Sequence, residues 1–299
     1  MTTDGWQQTL EQEPSLRILQ DQWSKQLVSA QPLTGGLTNQ CWKISTQCGN
    51  DYVWRPHSQS TEYFSLHRSD EYQVLQSLQN APFSPKVELL IPEGLLIEWI
   101  DGECLNSVAD SSLNLVMRAL SDLHQYPVTS LLNAENIRTF DYKECIHAYW
   151  QRLTYLQQST TQKKRFDYFY AHADELYQET LSVTPLCLCH FDLGDYNIIQ
   201  TTSRHLMVID WEYAAFSSPI IDLATTILAG QFDVKQGVHL YAQYYNIEEC
   251  QWFEIVQQWI PYLRFMAMLW HQISFTLHSR QSDQDAIKIL NNQLELDGY

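Results

Sequence analysis

Two short segments, one soon after the other, constrain this chain more than anything else in its 299 residues. The first reads His190-Phe191-Asp192-Leu193-Gly194-Asp195-Tyr196-Asn197 and runs on into Ile198-Ile199. The second reads Leu206-Met207-Val208-Ile209-Asp210-Trp211-Glu212-Tyr213. Each joins an apolar, strand-like run to carboxylates and, in the first, to an amide. Acids at the ends of apolar strands set charge at the rim of a core, where a metal or a substrate can reach it. Asp192 and Asn197 stand five positions apart in one loop, and Asp210 follows Asp192 by 18, which suits a hairpin return to the same place. Phosphoryl transfer needs this assortment. One carboxylate orients the attacking hydroxyl and accepts its proton; another carboxylate and an amide oxygen hold magnesium, which takes hard oxygen ligands.

The flanking sequence divides in character near Asp101-Gly102. Before it, Leu16, Leu19, Trp23 and Leu27 recur at helical spacing and predict an amphipathic helix over Ser15 to Ala30. A turn cluster, Pro32-Leu33-Thr34-Gly35-Gly36-Leu37-Thr38-Asn39, comes next. Strand-like runs from Cys41 to Thr46 and Tyr52 to Arg55 flank Gly49-Asn50, a hairpin signal. Ser69 to Leu78 reads as a helix with Ser69 or Asp70 near its cap. Lys86 to Leu90 and Leu95 to Trp99 read as strands about the turn Pro92-Glu93-Gly94. Beyond Gly102, Leu113 to His124, Cys145 to Gln157, Lys164 to Leu181 and everything from Ile220 onward carry helical patterning. The expected class is α+β: a small β-rich unit with one inserted helix over residues 1–101, and a large, mostly helical unit over 102–299.

Composition narrows the partners. With 44% hydrophobic and 18% charged residues the chain is globular rather than disordered. A formal net charge of −17 repels phosphate backbones, so no nucleic-acid partner is expected, and it attracts small cations. Aromatic residues reach 13%; their rings either fill the core or, for a few, line a pocket for a flat or cationic ligand. Seven cysteines, without zinc-finger spacing, are expected to be reduced, buried thiols. The opening MTTDGWQQ has no basic stretch before an apolar core, and no apolar run approaches the roughly 20 residues that span a bilayer. A cytoplasmic location without a membrane partner is the expectation. Oligomeric state has no signal.

The paired segments resemble the catalytic loop and metal-binding segment of protein-kinase-like phosphotransferases. Ile209-Asp210-Trp211-Glu212-Tyr213-Ala214 is similar to the choline kinase and thiamine kinase branch, with aminoglycoside phosphotransferases as more distant relatives. The resemblance implies a bilobal protein-kinase-like fold with a small antiparallel β-sheet lobe, and use of ATP and Mg2+. It implies Asp192 as catalytic base, Asn197 and Asp210 as magnesium ligands, and His190 as a brace for the loop. Asp222, in Ile220-Ile221-Asp222-Leu223-Ala224, resembles the aspartate that anchors the loop backbone. The run from Leu33 to Asn39 resembles a phosphate loop. Gly35 and Gly36 would let backbone N–H groups approach phosphate oxygens, and the Thr38 and Asn39 side chains would add hydrogen bonds. Arg55 takes the position of the lysine that grips nucleotide phosphates in protein kinases; arginine there resembles choline and thiamine kinases and can bind phosphate through two donors. Glu71 is its natural partner. Leu95 to Gly102 resembles the hinge that reads adenine, through the backbone around Glu98 to Ile100, with Gly102 permitting a sharp exit.

The acceptor is less defined. Candidate walls are Glu212, Tyr213, Trp259, Tyr262, Trp270 and His271, a carboxylate with rings that would suit a quaternary ammonium or thiazolium group. Trp259, Tyr262 and Trp270 also fit a helical core pattern. Choline, ethanolamine and thiamine are not separated. Aminoglycoside, homoserine or methylthioribose acceptors stand as alternatives, as does an ATP-binding pseudokinase serving as an interaction module. Retention of every expected acid argues against the last.

Overall fold

The computed structural model describes residues 9–33, 41–108, 112–127, 134–154 and 157–299. The expected phosphate loop, with Gly35, Gly36, Thr38 and Asn39, lies outside the described residues.

Alternating apolar runs in the first hundred residues form a five-stranded antiparallel sheet. Its strands are β1 (Leu27–Pro32), β2 (Trp42–Thr46), β3 (Asp51–Pro56), β4 (Val87–Ile91) and β5 (Gly94–Glu98), in the order β1-β2-β3-β5-β4. Successive side chains point to opposite faces. Trp42, Ile44, Trp54 and Leu96 therefore pack on one side with Leu16 and Leu19 of α1 (Ser15–Gln22). Leu95 and Ile97 on the other side join Val74 and Leu75 and the large core that runs through the rest of the chain. Leu16 and Leu19 are fully buried and contribute roughly 1.5–3 kcal/mol each.

Two features of this unit differ from the sequence reading. The helix predicted over Ser15 to Ala30 ends at Gln22, and Leu27 to Pro32 form a strand. A bulge between Leu27 and Ser29 shifts the register, so Leu27 and Ala30 both face inward three positions apart. That spacing imitates a helix on a strand. After α2 (Gln59–Tyr63), which patterning did not reveal, the helix α3 runs from Arg68 to Ser77. His67 occupies its N-cap with no side-chain cap bond, and Ser69 and Asp70 follow in the first turn, near the cap as expected.

The chain leaves β5 and passes Gly102. A Cβ there would lie 2.5 Å from the Gln200 carbonyl oxygen, so glycine is required by close approach and not by a left-handed φ. Glu103–Cys104 (β6) then pairs with Ile198–Gln200 (β8), which pairs with Leu206–Val208 (β9). Cys187–Cys189 (β7) pairs with Ala215–Ser217 (β10). These short ladders carry the two chemistry-bearing segments: β7 leads into His190–Asn197, and β9 leads into Asp210. Helices surround them: α4 (Leu105–Val108), α5 (Leu113–His124), α6 (Tyr142–Arg152), α7 (Thr160–Val183), α8 (Pro219–Ala229), α9 (Val234–Tyr244), α10 (Glu249–His278) and α11 (Gln281–Leu296). Among the described residues no helix is long and apolar enough to cross a membrane. The cysteines are unpaired, but only Cys187 and Cys189 are buried; Cys48 and Cys250 are exposed, against the expectation of buried thiols throughout.

Candidate active site

His190 follows β7 and is fully buried. Its Nε2 lies 3.0 Å from the Ile209 carbonyl oxygen, and its Nδ1 accepts the Asp192 N–H at 3.3 Å. Those partners require the neutral ring with hydrogen on Nε2, and burial holds the imidazole below its ordinary pKa. The ring thus ties the loop to the residue before Asp210. Phe191 adopts φ 64, a left-handed backbone that is costly for a bulky residue. Asp222 of α8 holds it there. Its Oδ2 accepts the His190 N–H at 2.6 Å, and its Oδ1 accepts the Phe191 N–H at 2.8 Å. Burial works against the Asp222 carboxylate, yet the His124 imidazole 3.0 Å away and the loop N–H keep its pKa below the ordinary value.

The Asp192 side chain is clamped. Oδ1 accepts the Tyr196 hydroxyl at 2.7 Å, and Oδ2 accepts Asn197 Nδ2 at 3.1 Å. The same Nδ2 donates to the Asp192 carbonyl at 2.9 Å. Burial, followed by the nearby Asp210 and Glu212 charges, pushes the Asp192 carboxyl up to about 8, although both clamping bonds pull the other way. A carboxyl in that range is matched to proton acceptance near neutral pH.

Asp210 begins the second segment at φ 67, ψ 62, and its side chain is 30% exposed. Arg55 Nη2 donates to its Oδ1 at 2.5 Å and to Glu212 Oε2 at 3.2 Å, while Arg55 Nε donates to Glu71 at 3.1 Å. A second guanidinium joins them. Arg68 Nη1 donates to Glu71 at 2.7 Å and to Glu212 at 3.1 Å. Both arginines, Glu71 and Glu212 are buried. Buried charges survive only with good partners, and here each carboxylate meets at least one guanidinium. Burial opposes the charged form of Asp210, but Arg55 holds its pKa below the usual range. Glu212 is pushed up by burial and by Asp210. Asn197 has its amide nitrogen committed to Asp192, which leaves Oδ1 as its donor to a cation. The backbone joins it to the second segment, because Ile209 N–H donates to the Asn197 carbonyl at 3.0 Å. The Asn197 amide oxygen and the part-exposed Asp210 carboxylate are hard donors of the kind magnesium takes.

The other expected site residues fall as follows. Glu98 ends β5, its N–H donating to the Lys86 carbonyl at 2.8 Å, and half-buried Ile100 lies just beyond it. Glu71 reaches Arg55. Arg68, one helical turn before Glu71, escaped the sequence reading; its spacing to Glu71 was the available signal. Tyr196 also escaped, although it lies inside the first segment. Glu212 was expected to face the acceptor. It is 3% exposed and engaged by both arginines, so it braces Arg55 and Arg68. Trp259 was expected at the same wall. It is fully buried, donates to Thr180 Oγ1 at 2.8 Å, meets the Tyr142 ring edge-on and lies tilted against Tyr262, so it belongs to the core. Tyr262 is buried beside it, and His271 turns to Asp283 at 2.8 Å. Trp270 and Tyr213 are together: Trp270 Nε1 donates to the Tyr213 hydroxyl at 2.8 Å and the indole stacks on Phe64 at 5.0 Å. Burial, followed by the Glu212 and Asp192 charges, drives the Tyr213 phenol well above its ordinary pKa.

A choline/ethanolamine kinase family model matches residues 30–282. Thiamine kinase from Escherichia coli O17:K52:H18 is 24% identical over 263 residues, which cover 86% of this chain and 86% of that protein. The choline kinase LicA from Streptococcus pneumoniae has a TM-score of 0.72 at 19% identity, covering 96% of this chain and 99% of its own. That enzyme has also been solved in complex with AMP. An ethanolamine kinase from Plasmodium vivax has a TM-score of 0.70 at 17% identity, covering 89% and 82%. The structural neighbours establish the protein-kinase-like fold. The family match takes in most of the chain, including both loop segments and the arginine–carboxylate cluster, and the chain therefore belongs to the choline/ethanolamine kinase family of small-molecule kinases.

Proposed function

We propose that this kinase transfers the γ-phosphoryl group of ATP, with Mg2+, to the hydroxyl of a small cationic alcohol of the choline, ethanolamine or thiamine class. The observation that carries the reading is the convergence of Asp192 and Asn197 from one loop, Asp210 from the second segment and Arg55 from β3. Asp192 accepts the acceptor's hydroxyl proton at a carboxylate oxygen, and Tyr196 and Asn197 fix the direction of that carboxylate. Arg55 presents donors to the nucleotide phosphates while Glu71 keeps it extended. Asn197 and Asp210 hold the metal, which when bound neutralises charge on the phosphates. Adenine is read near Glu98 to Ile100, and the division into nucleotide and acceptor lobes falls near residues 101–102. A cytoplasmic setting without nucleic-acid partners belongs to the same reading, supported by the acidic charge.

With Glu212, Trp259 and Tyr262 directed elsewhere, Tyr213 and Trp270 remain as the aromatic wall. A wall this small favours a second reading, in which the acceptor is an aminoglycoside or a homoserine-type alcohol. The deciding experiment measures ATP consumption with Mg2+ and, separately, choline, ethanolamine, thiamine, homoserine and an aminoglycoside. Turnover with one of the first three supports the proposal. Turnover only with the last two selects the second reading. ATP binding without turnover on any acceptor overturns both in favour of an interaction module.

A further inference from the structure

Behind the catalytic loop lies a second cluster that phosphoryl transfer does not use. Cys187 and Cys189 are alternate residues of β7, so both thiols leave the same side of the strand. Their sulfurs are 3.8 Å apart, and with a ring nitrogen of His124 from α5 the three atoms lie within 4.8 Å of one another. All three residues are buried.

Two zinc–sulfur bonds of about 2.3 Å at a tetrahedral angle hold their sulfurs about 3.8 Å apart. Two thiols in van der Waals contact come as close, so the histidine decides between a packed pair and a ligand set. His124 Nε2 lies 3.0 Å from the Asp222 carboxylate, which fixes hydrogen on Nε2 and leaves the lone pair on Nδ1. A carboxylate behind the imidazole is the arrangement that orients metal-ligating histidines. The Tyr241 hydroxyl, 2.7 Å from Nδ1, now caps that lone pair and is the group a cation would displace. Charge fits as well. A divalent ion on two thiolates and a neutral imidazole sums to zero, as a buried site requires, once two thiol protons have left to solvent.

We infer that His124, Cys187 and Cys189 form a site for a thiophilic divalent cation of the zinc class, separate from the oxygen donors Asn197 and Asp210. The same Asp222 carboxylate orients His124 and holds the His190 and Phe191 amides, so the site adjoins the support of the catalytic loop.

The test uses the full chain, stripped of metal and kept reduced with a phosphine, and titrated with Co2+. A near-ultraviolet thiolate-to-cobalt charge-transfer band saturating at one ion per chain is expected, displaced by Zn2+. It should disappear in Cys187→Ala and persist when the exposed Cys48 and Cys250 are both replaced by alanine. No band in the wild type, or an undiminished band in Cys187→Ala, overturns the inference. Where Cys187→Ala does not fold, X-ray absorption of the zinc-loaded wild type decides. A shell of two sulfurs near about 2.3 Å and a nitrogen near about 2.0 Å supports the site, and a shell of nitrogen and oxygen alone overturns it.

Discussion

Asp192 is a carboxylate held where a carboxylate is expensive. It is clamped by Tyr196 and Asn197 and set beside Asp210 and Glu212, and burial with those two charges raises its pKa to about 8. The value in an unfolded chain is near 3.9. Because the folded value is the higher one, the native state favours the protonated group. Its contribution is fully present below about pH 4 and is lost as pH rises towards about 8. Asp192→Asn removes that dependence and the proposed proton acceptor together. Turnover should fall by about 10²–10⁴-fold with nucleotide affinity retained. Without nucleotide and Mg2+, the variant's advantage in Tm should widen from pH 5 to pH 8, by at least about 1 kcal/mol, or roughly 2–4 °C. Calorimetry at both pH values checks this, and a constant difference would remove the electrostatic account. Arg55 gives a second expectation at this scale. Its Nε and Nη2 serve carboxylates in different directions. Lysine keeps the charge but offers one compact ammonium. Arg55→Lys should raise the nucleotide KM by about tenfold or more, in line with the roughly 1.5–3 kcal/mol of a charged hydrogen bond, and steady-state kinetics would show an unchanged KM if Arg55 were only structural.

Among the elements, α3 does the joining. Arg68 and Glu71 lie one turn apart on it, and Arg68 crosses to Glu212 in the turn after β9. Arg68→Met strands two buried carboxylates with half their cation partners. A loss of about 3–5 kcal/mol is expected in denaturant unfolding. Arg118→Met, which breaks only the exposed pair with Asp122 at 3.9 Å, should cost about 0–1 kcal/mol. Equal losses would show that the buried network contributes no more than a surface pair. The elements also show what the sequence revealed and what it concealed. Leu113–His124 coincides with its predicted span because one apolar stripe at helical period crosses no irregularity. The strand β1 was concealed because its bulge converts a period of two into a spacing of three. Asp192, Asn197 and Asp210 were legible because local strand pairing brings neighbours in sequence together. The contact between Arg68 and Glu212 spans 144 positions and leaves no local periodicity to read. Trp259 and Trp270 show the same limit within one helix: α10 gives both residues a similar pattern, and only packing sends one into the core and the other to Tyr213.

For the whole molecule the governing quantity is charge, with 35 acidic against 18 basic side chains and a formal net charge of −17. On the proposed reading, a field of that sign draws in the cationic acceptor and opposes the anionic nucleotide, so the two substrates should respond to salt in opposite directions. The Debye length is about 10 Å at 0.1 M and about 3 Å at 1 M, so added salt screens the distant carboxylates and spares the contacts inside the site. Raising KCl from about 0.02 M to about 0.5 M should therefore lower kcat/KM for choline, ethanolamine or thiamine by roughly two- to threefold, with kcat nearly constant. Over the same range the KM for nucleotide should fall or stay level, because the repulsion it meets on approach is being screened. An uncharged acceptor analogue would follow neither trend. Initial rates with each substrate varied in turn separate the cases. If both KM values rise together, the buried arginine–carboxylate cluster outweighs the surface charge on both substrates, and the acidic composition serves solubility instead of steering.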